Sequence, residues 1–453
     1  MTETTITQSR LYSVWIDPRK RRWILWALLA LVFLLVNVYR LSSAVLADRL
    51  MAGFDVSGSQ LGTLHASFFY VYALLQLPSG VLVDRIGPRR MVTAGCLLLS
   101  LGAIGFAGST GFFTGFLTRA LIGVGGSVVF VSIMRFCVSW YRADEYATMS
   151  GLTVAITGLG GILAATPLAL ATDAIGWRSV IFGLGLSGLC LSAGVYLLVR
   201  DDPPETLNEE DGDGKSSPST AKRQIAYRKR IARVLVHPRT WLVGIILFCT
   251  TGTVTTLLGL WGVPFVVQMY DVSVTTASQY TLLGSVGLLV GPPAIGWLSD
   301  RLGRRTELLV AGAGAYVLAF LVLASPGRQP LAVVAVAYFS IGLLTGAFTL
   351  GYPVVKEQFS VQTSGLSTAT VNCAGFTGAA TFPTLMGAAL DVYWTGETVG
   401  GSRVYTDVGY QIAFAIAAVA ALIALLCSVI LHRSNDGGNP EPTRSSPAGS
   451  ESE

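Results

Sequence analysis

The chain has 453 residues, of which 52% are hydrophobic and only 13% charged. A soluble protein of that length carries about a quarter charged residues, so this composition excludes an ordinary globular enzyme and marks a membrane protein. The net charge of +5 then describes a membrane face and its anionic lipids, not a nucleic-acid partner.

A spanning helix needs roughly 20 mostly apolar residues. Twelve such runs are visible, near 23–47, 57–83, 91–108, 112–138, 146–171, 179–199, 240–267, 276–299, 307–324, 331–355, 363–390 and 409–431. They are too long for barrel strands, which need about 10 alternating residues. The expectation is an all-α polytopic membrane protein with 12 transmembrane helices. With the amino terminus inside, the outer loops hold only Arg49, Arg178, Arg328 and Arg403, and the other connectors hold the bulk of the positive charge. That asymmetry places both termini in the cytoplasm of a multi-pass cell-membrane protein. The first run is too long for a cleaved signal and reads as a retained span.

Residues 1–22 close on Trp15-Ile16-Asp17-Pro18-Arg19-Lys20-Arg21-Arg22-Trp23, an interfacial anchor. Residues 23–199 hold the first six runs. Inside run 1 lies Asn37-Val38-Tyr39-Arg40, and a charge within a span costs at least about 2.5 kcal/mol, which makes Arg40 a functional candidate. Snorkelling to the outer surface is the alternative. Run 2 carries His65, Phe69, Tyr72, Gln76 and Ser79 on one helical face, a polar and aromatic stripe suited to a cavity. Run 4 opens on Arg119, and run 5 is rich in small residues (Gly151, Gly158, Gly160, Gly161) that let helices approach closely.

Residues 200–239 form a linker, acidic and disorder-like at first, then basic and amphipathic from Lys222 to Arg239. Residues 240–432 hold the last six runs. There, Tyr352, Thr368 and Asn372 supply polar groups, with Thr368 and Asn372 one turn apart. They could orient a solute or bond helix to helix. Residues 433–453 are a polar tail. No Asp or Glu lies mid-span: Asp48, Asp173, Glu307, Glu357 and Asp391 all fall near ends. A carboxylate proton carrier is therefore not evident, and His65 is either a titrating group or a hydrogen-bonding spacer. The six cysteines lie in apolar runs without metal-ligand spacing, and no nucleotide loop or hydrolase motif appears. No cofactor and no metal are expected.

One stretch occurs twice. Gly80-Val81-Leu82-Val83-Asp84-Arg85-Ile86-Gly87-Pro88-Arg89-Arg90 returns as Gly296-Trp297-Leu298-Ser299-Asp300-Arg301-Leu302-Gly303-Arg304-Arg305, dividing the chain into two similar halves. Both copies resemble the G-x-L-x-D-R-x-G-R-R loop between helices 2 and 3, and 8 and 9, of the major facilitator superfamily of transporters. Arg119-Ala120-Leu121-Ile122-Gly123-Val124-Gly125 and Gly176-Trp177-Arg178 are similar to further elements of that family. Tyr39-Arg40-Leu41-Ser42, with Gly62, Phe68-Phe69, Tyr72-Ala73, Gln76 and Pro78, resembles its organic-anion and sugar-phosphate permeases, with Tyr39 where those carry Asp.

The resemblance implies two six-helix bundles related by a pseudo-twofold axis, and secondary active transport of a small polar solute by alternating access. It implies Arg40 as the contact for an organic anion, with Tyr72, Gln76, Trp261, Tyr352 and Asn372 around it. Arg119 would couple binding to proton movement or hold helix 4 in place. Asp84, with Gly80, Arg85, Gly87, Arg89 and Arg90, would face the start of helix 11. Asp300, with Gly296, Arg301, Gly303, Arg304 and Arg305, would face the start of helix 5. Those contacts would lock the inner gate and break as it opens. Helix 7 offers only Thr250–Thr256 and Trp261 where phosphate permeases carry a second basic residue, which favours a singly charged anion or a zwitterion. The implied partners are the solute, a coupling proton or sodium ion and membrane lipids, around a monomer. Two alternatives stand beside this reading. A proton-coupled multidrug or metabolite exporter would want G-x-x-x-G-P-x-x-G-G in helix 5, but Ile162 follows Gly161. A transporter-like sensor would need a docking surface, for which residues 200–239 are the candidate.

Overall fold

The structure, a computed structural model, describes residues 18–201, 237–356 and 361–436. The amino-terminal anchor up to residue 17, most of the linker and the tail beyond residue 436 lie outside the described residues. Every apolar run holds a helix or a broken pair of helices. Span 1 is Pro18–Leu41 and Ser43–Phe54, span 2 Gly58–Ile86, span 3 Pro88–Ala107, and span 4 Phe112–Ser127 and Val129–Trp140. Span 5 is Ala143–Ala164 and Thr166–Ile175, and span 6 Trp177–Leu198. Span 7 is Pro238–Thr256, a π-helical turn Leu257–Trp261 and Gly262–Tyr270. Span 8 is Val274–Leu302, span 9 Arg305–Ala324, and span 10 Leu331–Thr349 and Gly351–Lys356. Span 11 is Val361–Val392 and span 12 Asp407–Asp436. Eleven spans are long and apolar enough to cross a bilayer, and span 2, bent by 64° just before Pro78, completes twelve. Proline lacks the N–H that would continue the ladder there, which is why the bend falls at that point. Span 1 runs seven residues past its expected end at 47, to Phe54.

Spans 1–6 and 7–12 form two bundles that meet along spans 2 and 11 and along spans 5 and 8. The end that carries the repeated loops is called inner below, and the opposite end outer. The 2/11 seam is antiparallel and regular. From the outer end inward, Gly58 lies against Gly387, Gly62 against Pro383, Thr63 against Thr384, Tyr72 against Phe376 and Gln76 against Asn372. At Gly62 and Gly387 a side chain would strike the backbone of the facing helix, so the outer part of the seam closes only because these residues have none. The 5/8 seam follows the same plan, with Gly158 against Leu289, Gly161 against Ser285 and Thr166 against Ser278.

A second repeat, at the outer end, becomes visible with the fold in hand. Spans 1 and 7 both end on a left-handed aspartate, Asp55 (φ 52°) and Asp271 (φ 53°). Each is followed by Val-Ser: Asp55-Val56-Ser57 starts span 2, and Asp271-Val272-Ser273 starts span 8. Aspartate tolerates that conformation better than most residues. The serine then caps the new helix, Ser57 Oγ accepting from Gln60 N at 3.3 Å and Ser273 Oγ from Thr276 N at 3.1 Å. Between spans 11 and 12 stands a β-hairpin, β1 Trp394–Val399 and β2 Ser402–Tyr405, that the hydropathy pattern does not announce.

Candidate functional site

Arg40 sits in the last turn of the first helix of span 1, partly exposed, between two aromatic rings. Its guanidinium carbon is 5.6 Å from the Phe69 ring centre of span 2 and 5.0 Å from that of Phe376 in span 11. One ring comes from each half, so the cation lies at the seam. The Tyr72 and Tyr352 phenols are close enough to interact with it electrostatically. Among the described residues no carboxylate or other hydrogen-bond acceptor meets the guanidinium, and its Nε is buried without a partner. Aromatic faces offset part of the cost of a cation in low dielectric, by about 0.5–2 kcal/mol each, but they leave its N–H donors free.

Beside the guanidinium runs a ladder of neutral polar groups that joins the halves. Tyr352 Oη donates to Asn372 Oδ1 at 3.0 Å, and Asn372 Nδ2 donates to Gln76 Oε1 at 3.1 Å. Tyr72 lies one turn before Gln76 on the same face of span 2. Five of the expected site residues, Arg40, Tyr72, Gln76, Tyr352 and Asn372, are thus gathered in one place. Phe376 belongs with them too, although a phenylalanine in a span gives no signal that separates it from a lipid-facing one.

The other two, Arg119 and Trp261, are bonded outside that ladder. Arg119 is 2% exposed within the first bundle. It donates to the Tyr39 carbonyl at 3.4 Å and to His65 Nδ1 at 3.3 Å, and lies 5.8 Å from the Phe106 ring centre. Arginine can only donate, so His65 Nδ1 accepts and the proton of the neutral imidazole sits on Nε2. That Nε2 has no partner among the described residues and faces the π-helical turn at Gly259. Trp261, fully buried, donates to the Pro383 carbonyl at 3.1 Å and packs edge-on against Tyr405. The π turn explains the placement: one extra residue in a turn rotates the rest of the helix by about 100°, off the face that regular helical periodicity predicts.

At the inner end the two repeated loops differ. Asp84 is 71% exposed and lies 3.5 Å from Arg135 of its own half. Asp300 is 76% exposed and lies 3.8 Å from Arg305. The side chains of residues 361–366 and of 143 and 144, at the starts of spans 11 and 5, lie outside the described residues. Gly87 turns with φ 88° and leaves room for the Asp201 carboxylate, which accepts from Arg89 N at 2.7 Å. Arg89 Nε donates to the Tyr196 carbonyl at 2.8 Å, so the first loop clasps the end of span 6. Gly303 turns with φ 68° over open space, Arg304 reaches Glu307 at 3.3 Å and Arg301 covers the Trp297 ring. Arg85 and Arg90 are exposed, and Gly80 and Gly296 lie on open helix faces.

The sequence profile of the Major Facilitator Superfamily matches residues 22–292 and 262–452. The chain belongs to this superfamily. It is accordingly a membrane transporter and not an enzyme, and its twelve spans form the family's two six-helix bundles. Similar proteins include a probable sulfoacetate transporter of Cupriavidus necator, 24% identical over 73% of this chain and 76% of that one. Another is a probable galactarate/D-glucarate transporter of Bacillus subtilis, 23% identical over 90% of this chain and 93% of that one. Among solved structures, a bacterial homologue of the human lysosomal transporter Spinster superposes with a TM-score of 0.71 at 17% identity, over 91% of this chain and 98% of that one.

Proposed function

We propose that the transporter carries a small, singly charged organic anion bearing hydroxyl groups, a sugar acid being the type. The observation that carries this reading is Arg40, a seam cation that no carboxylate neutralises among the described residues. A substrate carboxylate there would accept from the guanidinium and from the Tyr72 and Tyr352 phenols, and its hydroxyls would exchange into the Gln76–Asn372–Tyr352 ladder. Relatives named for sulfoacetate, galactarate, D-glucarate and hexuronate transport support a small organic acid, and of these hexuronate alone carries a single charge. A single arginine, with no basic residue mid-span in span 7, suits one charge better than the two of a phosphate ester. We place the protein in the cell membrane with both termini cytoplasmic, on the distribution of Lys and Arg.

The test is a thermal-shift screen of purified wild type and Arg40→Ala against sugar acids, sulfonates, phosphate esters, neutral sugars and organic cations. At 100 times its dissociation constant a ligand stabilises by about 2.7 kcal/mol, a clear rise in Tm. Stabilisation by sugar acids that disappears in Arg40→Ala is the expected result. Stabilisation by neutral sugars or cations alone, equal in both proteins, would overturn it.

A further inference from the structure

The outer end of the seam contains a pair of ionic locks built on the same plan. In the first, Asp391, in the last turn of span 11, accepts from Gly58 N at 2.7 Å and Ser59 N at 2.8 Å, the opening N–H groups of span 2 in the other half. Arg403 of β2 braces the same carboxylate at 3.2 Å. In the second, Asp173, in the last turn of span 5, accepts from Thr275 Oγ1 at 2.7 Å, in the opening turn of span 8 in the other half. Arg49 pairs with that carboxylate. Each lock therefore has an aspartate and an arginine from one half and a helix start from the other, and each helix start comes after an Asp-Val-Ser turn.

The two differ in the group they meet, backbone N–H for Asp391 and a side-chain hydroxyl for Asp173, but both set a carboxylate at the opening turn of a helix in the other half. A carboxylate at the carboxyl end of a helix is disfavoured by its own helix dipole and favoured at the amino end of another. Asp391 and Asp173 meet that requirement only while the halves touch at the outer end. Asp84 and Asp300 occupy the same place at the inner ends of spans 2 and 8, with helices ending at Ile86 and Leu302. Were the inner ends closed and span 2 straightened past Pro78, the same antiparallel order would set Asp84 opposite the start of span 11 and Asp300 opposite the start of span 5. All four seam helices thus end on an aspartate whose natural partner is the amino end of the helix beside it.

We propose that Asp391 and Asp173 are outer gate locks that oppose Asp84 and Asp300. When the outer end closes, span 11 caps span 2 and span 5 caps span 8. When the inner end closes, the same helix pairs cap each other in the reverse sense. The hairpin is the strap of the first outer lock: Arg403 braces Asp391, Ser402 Oγ donates to Asp48 of span 1 at 2.9 Å, and Gln268 of span 7 fastens both flanks of Arg403 through Arg403 O and Tyr405 N.

The experiment measures closure of the outer end without any substrate. Thr63 and Thr384 face each other across the outer 2/11 seam with 3.3 Å between their hydroxyls. Cysteines at these two positions, in a chain cleared of its native cysteines, form a disulfide when the outer end is shut. The full-length protein in lipid vesicles is treated with a mild oxidant and the rate of disulfide formation is read. Asp391→Asn with Asp173→Asn should slow the reaction about 5-fold to 10-fold, the scale of two charge–dipole contacts. Asp84→Asn with Asp300→Asn should not slow it, Asp391→Glu should retain most of the wild-type rate, and the fourfold variant should return towards wild type. A wild-type rate in the outer double variant would overturn the proposal. Equal slowing in both double variants would overturn it too, because that signals general loosening of the fold.

Discussion

The two halves share an architecture and a loop sequence but bring different chemistry to the seam. The first half carries Arg40, Arg119 and His65 within its spans, while the second sets Phe376, Tyr352 and Asn372, none of them charged, beside Arg40 and Gln76. Internal repetition governs the frame, where helix ends and seams obey the pseudo-twofold. It does not govern the site. A cation inside a bilayer is costly enough that one half supplies it, and the other half supplies neutral groups that can slide past it as the halves rock.

The largest expected effect tests that division directly. Arg40→Gln should cut the kcat/KM for sugar-acid uptake into proteoliposomes about 100-fold, within the range of a lost charge-assisted hydrogen bond. Asn372→Ala, which removes a neutral bond from the second half, should cut it only about 5-fold. Equal losses would mean that the anion is held by both halves alike.

The next effect compares the two copies of the repeated loop. Gly303→Ala meets open space at φ 68°, so its cost is the left-handed penalty alone, about 1–2 kcal/mol. Gly87→Ala sits at φ 88° and ψ 152°, a region essentially reserved for glycine, and its new methyl would lie 2.7 Å from the Asp201 carboxylate. It should cost about 3 kcal/mol, seen as the larger fall in Tm in detergent. Adding Asp201→Ala should recover the steric part and leave the backbone part. A pair of equal falls would show that the copies are as alike in structure as in sequence.

The frame was legible in the sequence because lipid imposes length and a duplicated loop imposes order. Twelve runs became twelve spans, and Gly87 and Gly303 turn where the repeat places them. Much of the candidate site was legible for a related reason: polar side chains are so expensive in a span that Arg40, Tyr72, Gln76, Tyr352 and Asn372 stand out. The hidden features depend on register. The π turn at Leu257–Trp261 redirects Trp261 and has no signature in hydropathy. Asp173 and Asp391 look like ordinary span ends until the seam shows which helix start each one faces. The Asp-Val-Ser repeat is too short to weigh until both copies adopt the same left-handed turn. The four outer arginines, exceptions to the charge bias, each prove to be tied down. Arg49 and Arg403 serve the locks, Arg178 bonds the Ala107 and Ser109 carbonyls, and Arg328 pairs with Asp407.

The smallest effect separates the halves by pH. At the inner end of the first half, Arg22 grips Glu145 with two bonds of 2.7 Å each, tying span 1 to span 5. Those bonds, with a further one from Arg142 N, hold the Glu145 carboxyl below the usual glutamate range. A depressed carboxyl contributes stability that is fully present above its unfolded value of about 4.3 and is lost as pH falls through the lowered folded value. Because the Glu145 side chain is 34% exposed, the contribution is screened to about 0.5 kcal/mol. Glu145→Gln should therefore melt about 0.5 °C below wild type at pH 7, with the gap closing at pH values below about 4. The second half provides the control. At the start of span 7, Arg239 donates to the Ser434 carbonyl of span 12 at 2.9 Å. A carbonyl has no proton to gain in this range, so any melting difference produced by Arg239→Gln should stay level from pH 7 to pH 4. If both gaps close together, the acid sensitivity belongs to the bundle as a whole and not to the Glu145 carboxylate.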